Sequence, residues 1–121
     1  DGKITSFTAT TGEEAFRKLI ETDDGAARLG EVALVPHSSP ISKSGLTFFE
    51  TLYDENASCH IAQGQSYSFC MLDASDEEKF ENGANKSDVH VDWMIGSDKI
   101  NVYGIKDGTR TPVMINGEFV L

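Results

Sequence analysis

The clearest pattern lies in the last third of the chain. Val89, Val91, Trp93 and Ile95 alternate with His90, Asp92 and Met94, a period of two that predicts a strand with one apolar and one polar face. Beyond it, Ser97-Asp98, Asp107-Gly108 and Asn116-Gly117 are turn dipeptides separating apolar-rich runs at 100–105, 109–115 and 118–121. Together these predict an antiparallel meander. Nearer the start, Lys3 to Thr8 alternates like a strand. Thr11 followed by Glu14 spells a capping box, and Ala15, Phe16, Leu19 and Ile20 then share one helical face, so a helix is predicted over 12–22. Thr22 can cap a second short helix through Ala26, Ala27 and Leu29, with Gly30 as its left-handed stop.

The run Glu31 to Val35 reads as a buried strand closed by Pro36, and HSSPISKS (37–44) as a polar loop. Phe48, Phe49, Leu52 and Tyr53 recur at helical spacing and predict a helix over 46–54, although Thr, Phe and Tyr also suit a strand. Cys59 to Ala62 reads as a short strand ending at Gln63-Gly64. Residues 72–88 are acidic and turn-rich, with a helical turn or two at 76–81, and read as a solvated loop. The sum is an α+β fold: two N-terminal helices and a middle helix flanking a mostly antiparallel sheet with a C-terminal meander.

Composition adds limits to this picture. At 121 residues, 39% of them hydrophobic and only three proline, the chain fits one ordinary globular domain able to bury a core without a disulfide scaffold. Ten basic against 20 acidic residues give a net charge of −10, which argues against nucleic acid or anionic lipid as the main partner. No run reaches the ~18 to 20 apolar residues of a membrane span. Cys59 and Cys70 form neither a C-x-x-C pair nor a zinc knuckle, and read as reduced thiols of a cytoplasmic protein. Residue 1 is Asp rather than Met, so the length is expected to describe part of a longer protein.

Three places carry candidate chemistry. His90 and Asp92 stand at i and i+2 of a strand, on one face and about 7 Å apart along the chain. Mixed nitrogen and oxygen ligands suit zinc, manganese or cobalt, while a plain exposed polar face is the other reading. His60 points away from Cys59 and shares a face with the small residues Ser58 and Ala62. That face leaves room for something bulky, or for a hydrogen-bonded core histidine. His37 lies in the polar loop and reads as solvent-exposed. Glu31 sits at the end of an apolar strand, where sites gather, but Asp54 and Glu55 also offer carboxylates and spacing does not choose among them.

Three segments narrow the choice: GEVALVPHSSPIS (30–42), TLYDENASCHIAQGQSY (51–67) and HVDWMIG (90–96). They resemble the aminopeptidase T / PepS / AmpS family of bacterial metalloaminopeptidases, over most of the chain from about residue 15. The resemblance implies a dinuclear centre of two glutamates, two histidines and an aspartate, with a tyrosine at the reacting carbonyl. Glu31 resembles the second glutamate, His60 the first histidine, Tyr67 the catalytic tyrosine, and His90 and Asp92 the second histidine and the aspartate. The family's first glutamate lies upstream of these segments. Residues 1–121 are therefore expected to be the C-terminal, metal-ligand-bearing domain of a longer enzyme, nearly inactive when isolated. Two divalent ions such as zinc or cobalt, peptide substrates and a homodimeric full-length enzyme are likewise implied. A non-catalytic metal-binding or interaction module is the alternative.

Overall fold

Local side-chain captures, more than apolar periodicity, set where the helices of this chain begin and end. The computed structural model describes residues 2–72 and 75–120. Helix α1 spans Glu13–Ile20 behind a left-handed Gly12 at φ 77°, with no side-chain cap, so the predicted Thr11–Glu14 capping box does not form. The predicted second helix is absent. Asp23 Oδ1 instead accepts from the backbone N–H groups of Gly25 and Ala26, both at 2.8 Å, holding a turn that leads straight into strand β1, Leu29–Ala33. Gly30 lies inside that strand and stops nothing. The predicted N-terminal strand shrinks to one antiparallel bridge, Lys3 to Arg28.

A short helix α2, Pro40–Ser44, occupies what reads as loop. Ser39 caps it by accepting from Ser42 N, Pro40 opens it, and a left-handed Gly45 ends it. The helix predicted over 46–54 is cut to α3, Thr51–Asp54, followed by a 3-10 turn at Glu55–Ala57. The cause is Asp54, whose carboxylate takes the N–H groups of Phe48 at 2.9 Å and Glu50 at 3.2 Å, while Phe49 adopts φ 57°, outside any right-handed helix. Helix α4, Asp76–Glu81, forms as predicted and carries a true capping box between Ser75 and Glu78.

Six strands make two three-stranded sheets, and the architecture is α+β. The first has the order β1-β2-β3, with β2 His60–Gly64 and β3 His90–Met94. Gln65 N bonds Val89 O at 2.6 Å and Ile95 N bonds Cys59 O at 2.9 Å, a pattern that makes β2 and β3 antiparallel. The second is the C-terminal meander β4 Val102–Lys106, β5 Thr109–Ile115 and β6 Glu118–Phe119. Its turns are Asp107-Gly108 and Asn116-Gly117, each with positive φ at both positions, as type I′ hairpins require. The meander starts at β4, because β3 pairs with β2.

By contacts the chain falls into two units: residues up to 32 with 61–92, and 33–60 with 93–121. In the first, Asp23 Oδ2 accepts from Ser87 Oγ and Asp88 N, and Asn85 Nδ2 donates to the carbonyls of Gly25 and Gly64. These bonds fix the approach to β3. In the second, the buried Cys59 thiol donates to Val35 O at 3.2 Å and touches Met114 Sδ at 3.8 Å. Both cysteines are free, Cys59 buried and Cys70 exposed. Among the described residues the fully enclosed apolar core is thin: Ala26, Cys59, Ala62 and Met114. Large apolar side chains instead face outward, Phe49 at 94% exposure, so the sizeable core expected from composition is not realised. No helix among the described residues is long and apolar enough to cross a membrane.

Candidate metal centre

The first unit builds its site on glycine. A Cβ on Gly30 would stand 2.3 Å from the carbonyl oxygen of Gly64, and Gly64 itself holds φ 93°. Only glycine lets the β1 backbone beside Glu31 come this close to residues 64 and 65. At that point Gln65 presents its backbone carbonyl to His90, whose Nδ1 lies 2.7 Å away. A carbonyl oxygen only accepts, so Nδ1 carries the proton and Nε2 of neutral His90 carries the lone pair.

Nε2 is turned between two carboxylates. Glu31 Oε2 and Asp92 Oδ1 each lie 3.5 Å from it, and the three side chains are 23%, 20% and 10% exposed for His90, Glu31 and Asp92 respectively. Strand alternation delivers Asp92 to the same face as His90, as the H-x-D spacing predicts. Oxygens of Glu31 and Asp92 fall within 4.8 Å of one another. Asp92 Oδ1 is buried and accepts no hydrogen bond. Two anionic oxygens and an imidazole lone pair converge here in a partly dry place, an arrangement that repels itself until a cation enters. One nitrogen and two carboxylate donors form a mixed set suited to zinc, manganese or cobalt.

The other predicted residues are placed as follows. His60 opens β2, is 2% exposed, and directs Nδ1 at Ser58 O, 3.0 Å away. The same reasoning makes Nε2 its lone-pair nitrogen, and metal-binding histidines are commonly anchored in this way by a carbonyl on the far nitrogen. Tyr67 is exposed, its ring centroid 5.1 Å from that of His90 and 5.2 Å from that of Phe69. Of the competing carboxylates, Asp54 is committed to backbone amides and Glu55 lies in a 3-10 turn. His37 is an exposed loop residue.

Sequence reasoning missed Gln65, which anchors His90 through its backbone and takes Ser87 N with its Oε1 at 2.9 Å. A role exerted by a main-chain carbonyl leaves no trace in residue type. It also missed Gln63, which is buried with both amide atoms lacking a hydrogen-bond partner among the described residues.

The model of the thermophilic metalloproteases (M29) matches residues 1–119. The chain belongs to this M29 family. Aminopeptidase T of Thermus aquaticus is 54% identical over 115 residues, covering 93% of this chain and 28% of that protein. Aminopeptidase PepS of Streptococcus thermophilus is 50% identical over 125 residues, covering all of this chain and 30% of its own. Among solved structures, wild-type AmpT from Thermus thermophilus matches with a TM-score of 0.85 and 52% identity, over 99% of this chain and 30% of that one. The M29 chain thus spans less than a third of the length of these relatives. A metalloprotease family carries a metal cofactor, and the glutamate, histidine and aspartate cluster is where the residues of this chain fit one.

Proposed function

We propose that this chain carries metal ligands of a two-metal aminopeptidase, with Glu31, His60, His90 and Asp92 holding two divalent ions such as zinc or cobalt. The observation that carries the proposal is His90 Nε2, locked as a lone-pair nitrogen between two carboxylates. Two features support adding His60. It opens the strand that lies between β1 and β3, and it makes with Glu31 and Asp92 a group of three that could hold an ion. The names of the relatives, aminopeptidases all, support peptides as the substrates.

Bound divalent ions supply Lewis acidity toward a peptide carbonyl and make a water ionise near neutral pH. The chain's own residues do the rest. Glu31 has two oxygens with which to share neighbouring cations, and Asp92 adds a second anionic donor. The carbonyls of Gln65 and Ser58 keep both imidazoles in the ligating tautomer. Tyr67 brings a hydroxyl to the same neighbourhood and donates a hydrogen bond to the oxyanion that forms as water adds to the carbonyl. A homodimeric enzyme working in the cytoplasm belongs to the same proposal, with the isolated chain nearly inactive.

Calorimetric zinc titration with parallel melting curves tests it. Zinc should bind and raise the melting temperature of the wild-type chain, and His90→Ala should abolish both effects. No heat of binding and an unchanged melt after chelation would instead favour a non-catalytic module.

A further inference from the structure

We infer that the cleft of about 580 Å³ beside Glu31 receives the side chain of the substrate's N-terminal residue and selects apolar ones. The inference rests on the aminopeptidase reading above and deepens it. Glu31 and Tyr67, both assigned there to the reacting centre, stand on the wall of the cleft, and Val32, Phe69, Met71 and Ala84 supply apolar wall. An enzyme that removes one residue from the amino end must seat that residue's side chain within a bond or two of the carbonyl it attacks. The space that opens from Glu31 and Tyr67 is therefore the space that side chain meets.

The chemistry of the walls then sets the preference. Glu31 is the one charged group among the described lining residues, and it is engaged at the metal end. A Lys or Asp side chain entering beyond it would shed water without gaining a counter-ion, whereas Leu, Met or Phe would cover Val32, Phe69 and Met71. Phe69 is 74% exposed as it stands, so the wall offers apolar surface that water now wets. A volume of this size exceeds what one small side chain fills, which predicts a broad apolar preference.

The test uses Cys70, an exposed thiol on the same wall, with buried Cys59 as the unreactive internal reference. The zinc-loaded 121-residue chain is alkylated with iodoacetamide in the presence of L-leucinamide, glycinamide or L-lysinamide, and modification of Cys70 is followed by mass spectrometry. Leucinamide should protect Cys70 at a concentration at least tenfold below that needed with glycinamide or lysinamide. Phe69→Asp, a change at an exposed position, should invert the order of leucinamide and lysinamide. Equal protection by all three probes, or none, in a chain that calorimetry shows to bind zinc would overturn the cleft assignment alone. Leucinamide selectivity in a chain that binds no zinc would instead overturn the metallopeptidase reading on which it rests.

Discussion

Replacing Asp92 by Asn exchanges an anionic ligand oxygen for a neutral amide of the same shape, and its effect on stability should change sign with the metal. In the metal-free chain the carboxylate oxygens of Glu31 and Asp92 lie within 4.8 Å, on side chains only 20% and 10% exposed. At an effective dielectric constant of about 20, two unit charges at that separation repel by about 3 kcal/mol. Some of this is relieved by small shifts, so Asp92→Asn should stabilise the metal-free chain by roughly 1 to 3 kcal/mol. For a chain of this size that is a rise in melting temperature of roughly 4 to 12 °C. With zinc the order reverses. At a hundredfold excess over Kd the wild type gains about 2.7 kcal/mol from binding, most of which the asparagine variant forgoes. Circular dichroism melts at pH 8, where a free imidazole is neutral, would be recorded for both chains in EDTA and in zinc. An Asp92→Asn chain that is less stable than wild type in EDTA, or that gains as much from zinc as wild type does, would refute the reasoning.

Other outcomes follow from the same geometry. Asp23 is held below the usual carboxylate range, first by the N–H of Asp88 and then by Ser87 and the N–H groups of Gly25 and Ala26. A depressed folded-state value contributes stability that is present above the unfolded value near 3.8 and is lost as pH falls through the folded one. Urea midpoints measured from pH 5 to pH 2.5 should therefore fall less steeply for Asp23→Ala, and an identical slope would count against that role. Gly64→Ala would place a Cβ 2.0 Å from the carbonyl oxygen of Val89 in a left-handed backbone, so denaturant melts should show a loss of about 2 to 4 kcal/mol. In an active enzyme Tyr67→Phe should lower kcat by roughly 10²- to 10³-fold, while calorimetry finds zinc affinity unchanged. A loss of zinc affinity in that variant would make Tyr67 a ligand instead.

How much of this was legible in the sequence depended on how local the cause was. The β3 alternation placed His90 and Asp92 on one face because strand geometry alone dictates it. The two hairpin turns of the meander followed from Asp-Gly and Asn-Gly for the same reason. The helices predicted through 26–29 and 46–54 failed because single carboxylates, Asp23 and Asp54, bind backbone amides that a helix would need in another geometry. Apolar spacing carries no information about such captures. Glu31 could not be told from Asp54 or Glu55 by spacing, since what brings it to His90 is the close approach of two backbones at Gly30 and Gly64. The resemblance to the aminopeptidases singled it out, and the geometry supplies a physical reason for the choice. The cleft was invisible for a different cause: it is walled by irregular segments around Phe69, Met71 and Asn82 that have no period to read.

The most direct test of the central proposal is nitrogen-15 NMR of the imidazoles during a zinc titration. If Glu31, His60, His90 and Asp92 form the centre, the Nε2 resonances of His60 and His90 should move to metal-bound values as zinc is added. Both Nδ1 atoms should stay protonated on the carbonyls of Ser58 and Gln65. Zinc that leaves both Nε2 signals in place, or that displaces the proton from Nδ1, would contradict it.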